Sequence, residues 1–334
     1  MTPIEKGAMS PPILTIAVPT YNRSELLSVC LSQLIPQVCS SSEEVELLVS
    51  DNCSTDDTKK VVEAYLATGV PLRFLQNDSN LGPDRNFAKC FAMASGKFVL
   101  MISDDDVLLD GGLEKLLAVL RQGNPGVVHL RSYSFQEDYR TEQPRRAPSG
   151  ITSVYSNLHA FAKQVNVNLT FISGNVVNKS LVGSAIRSED FFDTRLVQLS
   201  WMLSAAMNAE TNVFIDEFIV AAKAENTGGY QLCNVFGVNM NRIFKMFEAQ
   251  GADPEFFRII NRKALTTFFP GWILKLRSKG TEFHAENYFS TLRPVFHDFP
   301  AFWVMVWPAA TWPVPLARMW FKLCREWLRI IRRW

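Results

Sequence analysis

Through its first 125 residues the chain alternates two kinds of apolar pattern. Short continuous apolar runs at 13–18, 45–50, 72–75 and 98–102 read as buried parallel strands. Between them, apolar residues recur every three or four positions, as Leu26, Leu27, Cys30, Leu31 and Leu34 do, which predicts helices over 24–34, from the Asp56 region through Tyr65, and over 84–94. Asn22 with Glu25 reads as a capping pair, acidic residues fall at the start of the second helix, and Pro83 suits the first turn of the third. Strand and helix in alternation with short loops predict an α/β fold with a doubly wound, mostly parallel sheet. Further strands are expected at 126–130 and 212–215, with a polar loop over 137–150 and a helix over 201–207. From residue 226 the pattern turns helical, over 235–247, 256–265 and 269–276, so the chain divides into a sheet domain, 1–225, and an α-helical C-terminal region, 226–334.

The last segment has its own pattern. Residues 299–315 are strongly apolar but hold four prolines, which deny the run a continuous helix, and they fall short of the ~20 clean residues a spanning helix needs. Beyond them Arg318, Lys322, Arg325, Arg329 and Arg332 recur at three- and four-residue steps, with Leu316, Met319, Trp320, Leu323, Trp327, Leu328, Ile331 and Trp334 on the other faces. Such a helix suits a membrane surface, its basic stripe toward anionic headgroups; a packing or dimer helix with a solvated basic face is the alternative.

Composition narrows the function. The 334 residues carry 34 Lys plus Arg against 33 Asp plus Glu, so charge gives no argument for nucleic-acid binding. Six cysteines without C-x-x-C pairing or zinc-spaced histidines suit reduced thiols in a cytosolic compartment. No signal-peptide pattern precedes the first strand, so the expected location is the cytoplasmic face of the inner membrane, held peripherally. Neither a G-x-G-x-x-G after a strand nor a G-x-x-x-x-G-K-[ST] is present.

Candidate chemistry sits at the strand ends, where open α/β sheets bind ligands. The fourth strand delivers Ser103, Asp104, Asp105 and Asp106. If that loop is extended, Asp104 and Asp106 point one way and Asp105 the other, giving an Asp-x-Asp pair suited to Mg²⁺ or Mn²⁺ on a diphosphate. The alternative is an acidic N-cap for a helix starting near Gly112. The other rims carry Pro19, Thr20, Tyr21, Asn22 and Arg23; Asp51, Asn52, Cys53, Ser54, Thr55 and Asp56; and Asn80, Leu81, Gly82, Arg85 and Asn86.

In order and spacing these four motifs resemble a family 2 glycosyltransferase of the GT-A fold, over about residues 13–225. The resemblance implies that Pro19, Thr20, Asn22 and Arg23 line the nucleotide pocket with Asn52, Arg85 and Asp105 nearby, that Asp51 contacts the base, that Asp104 faces the ribose and donor sugar, and that Asp106 is the metal ligand. Taken alone, these loops also read as turn chemistry, and Arg85 as a solvated helix face. Residues 171–178 look like the family's acceptor-side strand, in which Gly174 would let backbone approach the donor sugar. Where the family commonly places an acidic pair whose Asp is the general base, this chain has Val197 and Gln198. Gln cannot take a proton at physiological pH. Glu189, Asp190 or Asp193 is expected to serve instead, with Gln198 orienting the acceptor; a solvated turn is the other reading of Glu189 and Asp190.

The C-terminal half is similar to bacterial abequosyltransferase-like enzymes of O-antigen and capsule assembly, resting on Ser173, Gly174 and Asn175 and on Thr227, Gly228, Gly229 and Tyr230. This implies a nucleotide-diphosphate sugar donor, a lipid-linked saccharide acceptor, a membrane surface as partner, and inversion at the anomeric carbon. Two rivals stand beside it. A sugar nucleotidyltransferase needs a Gly-rich basic loop after the first strand, and 19–23 has no glycine. A non-catalytic membrane-bound scaffold is motivated by Gln198.

Overall fold

A computed structural model describes residues 11–224, 229–278 and 283–331, with side chains given up to residue 328. Along the chain run β1 (Leu14–Thr20), α1 (Ser24–Cys39), β2 (Val45–Asp51), α2 (Thr58–Leu66), β3 (Leu72–Gln76), α3 (Pro83–Met93), β4 (Phe98–Met101), β5 (Val107–Leu108), α4 (Gly112–Gln122), β6 (Val127–Phe135), β7 (Thr152–Tyr155), α5 (Leu158–Val165), β8 (Asn175–Asn178), α6 (Gln198–Asn208) and β9 (Asn212–Lys223). Among the described residues only helices follow: α7 (Met240–Ala249), α8 (Pro254–Lys263), α9 (Phe269–Leu276), α10 (Tyr288–Phe296), α11 (Trp307–Thr311) and α12 (Val314–Ile331).

The sheet order is β3-β2-β1-β4-β8-β6-β9-β5, with β7 added on β9. The chain leaves β1 toward β2 on one side and meets β4 on the other, so a crevice opens beside the carboxyl ends of β1 and β4. The reversed β8 pairs with β4 and β6, which brings the residues before it to the same end of the sheet.

Alternation decides which face each residue covers. Leu14, Ile16 and Val18 with Phe98, Leu100 and Ile102 pack against α1 and α4. Ala17, Val99 and Met101 lie in the other core, which continues through α6 into Phe244, Phe269 and Phe302 of the helical region. Sheet and C-terminal helices thus share one apolar interior.

Several local expectations change. α1 runs beyond Leu34 because Ile35 and Val38 continue its buried stripe. Its first turn is capped by the Asp56 carboxylate, which accepts from the Ser24 N–H at 2.9 Å, and not by Asn22 and Glu25. α2 has no acidic residue in its first turn; Asp56 and Asp57 lie just ahead of it. The strand expected over 171–178 is reduced to β8, since two 3₁₀ turns, Asn166–Thr170 and Ile172–Gly174, come first. Residues 300–311 are helical, with a π turn at Phe302–Val306 just before Pro308, whose missing N–H breaks the regular ladder. Proline ends this helix at 312–313; it does not prevent it. Among the described residues no helix is long and apolar enough to cross a membrane.

Candidate functional site

The β4 strand ends in a tight turn closed by the Asp106 N–H donating to the Ser103 carbonyl at 3.1 Å. Because the loop turns, its carboxylates do not alternate as an extended chain would place them. Asp104 accepts from Thr20 Oγ1 at 2.7 Å and from Arg23 Nη1 at 3.0 Å, and Asp105 shares the same guanidinium at 3.4 Å. Asp106 faces other donors: Ser173 Oγ at 2.5 Å and the Lys223 backbone N–H at 2.9 Å. None of the three caps α4, whose N-cap is Gly111 without a side-chain bond, so the capping alternative fails.

Asp104 and Asp106 are 3% and 4% exposed. Burial, offset in part by the Arg23 charge, pushes the Asp104 carboxyl up to about 6. Burial first, and then the neighbouring Asp105 charge, holds Asp106 above the usual carboxylate range. Two of the three carboxylates, Asp104 and Asp105, meet one guanidinium at this turn, while Asp106 has a hydroxyl and a backbone N–H, and Lys223 turns its ammonium to the Gln136 carbonyl. Among the described residues no three His, Cys, Asp or Glu side chains form a ready-made metal cage. An excess of buried carboxylate oxygen, supplied by one or two side chains, is instead the donor set that holds Mg²⁺ or Mn²⁺ together with substrate phosphates.

The second rim is locked to the first. Asn22, at φ 50, takes the left-handed conformation that Asn tolerates; its N–H donates to Ser54 Oγ at 2.8 Å and its Oδ1 accepts from the Thr55 N–H at 2.7 Å. Pro19 is buried within β1. Asp51 is fully enclosed, accepting from the Ser54 N–H and from Gln76 Nε2, each at 3.0 Å. Asn52 accepts from the Leu81 N–H and from Asn77 Nδ2 and donates to Asn80 Oδ1, tying the third rim in. Asp51 and Asn52 therefore build the walls of the crevice, while Thr20, Arg23 and the aspartates form its charged floor.

The acceptor side departs further from expectation. A Cβ on Gly174 would sit 2.6 Å from the Phe171 ring, so the glycine makes room for Phe171. Gln198 is 6% exposed; its Nε2 donates to the Thr170 carbonyl at 2.8 Å, and its Oε1 is buried without a partner. Val197 is buried. Of the three candidate carboxylates, Asp190 accepts from Arg187 within its own turn and Glu189 is exposed. Asp193, exposed like Glu189 and at φ 66, reaches Arg85 at 3.2 Å, and that guanidinium stacks over Phe192 at 4.7 Å. The structure thus ties Asp193, and not the other two, to Arg85 of the third rim. Thr227 and Gly228 lie outside the described residues.

Sequence reasoning missed the support of Asp106. Ser173 is legible only as part of a short Ser-Gly-Asn run, and Lys223 contributes its backbone, for which no side-chain signal exists.

Residues 15–181, half of the chain, match the model of glycosyl transferase family 2. The chain is 35% identical over 120 residues to the GalNAc(5)-diNAcBac-PP-undecaprenol beta-1,3-glucosyltransferase of Campylobacter jejuni, covering 36% of this chain and 37% of that protein. It is 32% identical over 109 residues to abequosyltransferase RfbV of Salmonella typhimurium, covering 32% of each. The matches therefore span about a third of these relatives' lengths. Among solved structures, S. aureus TarS 1-349 in complex with UDP-GlcNAc superposes with a TM-score of 0.62 at 18% identity, over 94% of this chain and 91% of that one, a likeness of fold.

Proposed function

The chain belongs to glycosyl transferase family 2 and is a glycosyltransferase, and from that premise we propose that it moves a sugar from a nucleotide-diphosphate donor to a hydroxyl of a lipid-linked saccharide in bacterial surface polysaccharide synthesis, such as O-antigen or capsule, with inversion at the anomeric carbon. The observation that carries this reading is the buried carboxylate turn at the carboxyl end of β4, held by Thr20 and Arg23 from β1 and its following loop. Asp106, with Asp104 beside it, would hold Mg²⁺ or Mn²⁺, which when bound supplies positive charge against the leaving diphosphate. Arg23, Thr20 and the walls built by Asp51 and Asn52 orient the nucleotide. A lipid-linked acceptor is supported by the C. jejuni relative, a glucosyltransferase named for GalNAc(5)-diNAcBac-PP-undecaprenol. The sheet domain, 1–225, would bind the donor, and the helical region, 226–334, would hold the protein at the cytoplasmic face of the inner membrane. Family membership sets aside the nucleotidyltransferase reading.

Screening nucleotide-diphosphate sugars by thermal unfolding tests the donor site. The right donor at about a hundred times its Kd, with Mn²⁺, adds about 2.7 kcal/mol of stability, and chelation removes that gain. Absence of metal-dependent stabilisation across the panel overturns the reading.

Asp193 is the proposed general base, motivated by its bridge to Arg85. Asp193→Asn is expected to lower kcat by about 10²-fold while leaving the donor-induced thermal shift intact. If the Asp193, Glu189 and Asp190 amide variants all keep wild-type kcat, no carboxylate of this segment is the base. The proton then goes to another group, with Gln198→Ala testing whether Gln198 orients the acceptor.

A further inference from the structure

A second cleft opens between the Asn166–Thr170 turn and the start of α9. Its volume is about 340 Å³, at the lower end of the range for small-molecule sites. Asn166, Asn168, Thr267, Phe268, Trp272 and Lys275 supply its chemistry. We propose that this cleft is a subsite for a sugar ring of the acceptor saccharide, a few units away from the hydroxyl that is glycosylated. The proposal rests on the acceptor class assigned above and adds a place for it on this chain.

The lining argues for a sugar. A pyranose ring offers one apolar C–H face and an edge of hydroxyls, so its complement is an aromatic platform beside neutral donors and acceptors. Trp272 and Phe268 provide the platform, with ring centroids 6.3 Å apart and planes tilted by 56°. Phe283 meets Trp272 edge-on at 5.7 Å, which fixes the indole before any ligand arrives. Two carboxamides and a hydroxyl stand around these rings with the Lys275 ammonium 5.0 Å over the Trp272 ring, and no carboxylate lines the cleft. A lipid tail would want walls apolar throughout, and a nucleotide would want a cluster of cations; neither describes this lining.

The cleft also sits on the correct strip of chain. Asn168 lines it; two residues on, the Thr170 carbonyl holds Gln198; at Ser173 the chain reaches Asp106. Five residues separate Asn168 from Ser173, a reach of at most roughly 18 Å and nearer about 10 Å through 3₁₀ turns. That distance suits an oligosaccharide with its reacting end at the crevice and an earlier ring over Trp272. The Asn175 side chain anchors the strip by donating to the carbonyls of Asn168 and Phe171.

Gly271 gives a clean test. It lines the cleft on α9, and a Cβ built on it meets nothing within 4 Å, so a side chain there enters open space. Gly271→Leu should fill the cleft without strain and with better helix propensity. Saturation-transfer NMR with a panel of plain trisaccharides of hexoses, deoxyhexoses and N-acetylhexosamines is expected to show ring-proton contacts in the wild-type protein. Those contacts should weaken by about tenfold in apparent affinity in Gly271→Leu, remain in Gly271→Ala, and be lost in Trp272→Ala. The donor-induced thermal shift is measured on the same samples and should not move, so a failure of the donor site is told apart from a failure of the cleft. Equal contacts in wild type and Gly271→Leu overturn the proposal, as does a panel in which no trisaccharide binds the wild-type protein. Transfer to the chain protons of octyl glucoside alone, with none to its ring, also overturns it and marks the cleft as a lipid groove.

Discussion

Replacing Asp106 by asparagine is expected to lower metal-dependent sugar transfer by at least about 10³-fold, while the folded protein is no less stable than the wild type. The two halves of this result have separate causes. An amide oxygen can still accept from the Lys223 N–H, and Ser173 Oγ, which already accepts from the Ser103 N–H, can take the amide proton where it used to donate. The substitution therefore keeps shape and hydrogen bonds and removes a buried charge that the protein neutralises poorly. What it cannot keep is the anionic oxygen for a hard cation, and losing several kcal/mol of charge stabilisation, about 4, corresponds to about 10³ in rate. Melting curves with and without Mn²⁺ and nucleotide sugar, alongside transfer rates, check both halves. Retention of the metal-dependent shift together with wild-type transfer would remove Asp106 from the metal site.

Placing glutamates at Leu316, Met319, Leu323 and Trp327 is expected to abolish binding to vesicles of phosphatidylglycerol and phosphatidylethanolamine without unfolding the protein. These four side chains are 51–63% exposed and follow one another along α12 at three- and four-residue steps. Arg318, Lys322 and Arg325 form an exposed stripe beside them. The opposite side of the helix is held by Ala317, which is 1% exposed, and by Trp320, whose indole N–H donates to the Val304 carbonyl at 2.7 Å. Arg329, Ile331, Arg332 and Trp334 of the expected pattern lie outside the residues with described side chains. Burying four half-exposed apolar side chains contributes on the order of 4 kcal/mol, about 10³ in partitioning, before repulsion of the new charges from anionic lipid. Each cation adds on the order of 1 kcal/mol, so raising salt should weaken wild-type binding without ending it. Point substitution is the appropriate test, because truncation before residue 300 would also remove Phe302 and Val306, which are fully buried in the shared core. Equal co-sedimentation of variant and wild type would refute the membrane role, and a concentration-dependent loss of dimer in its place would assign the face to a second copy.

Much of this protein was legible in its sequence for a definable reason. Strand and helix are recorded in periodicity, and the residues at strand ends lie within one or two positions of the apolar runs that place them, so the four rims could be found without coordinates. The basic and apolar stripes of α12 were legible on the same ground, since both depend only on helical spacing. What depends on residues far apart in the chain was not. The Asp104 to Asp106 loop could be read as extended until the Ser103 turn divided its carboxylates between Arg23 on one side and Ser173 with Lys223 on the other, partners 67 to 117 positions from Asp106. The enclosure of Asp51 was not legible either, since only the pairing of β2 with β3 brings the Gln76 amide to it. Gly174 marks a close approach in the sequence but does not say to what, and the tertiary fold supplies Phe171. The ion pair of Asp193 with Arg85 likewise waited for α3 to bring Arg85 to it. Periodicity determines which side of an element is covered; only the packed chain determines by what, because side-chain contacts across a sheet end carry no signature in local spacing.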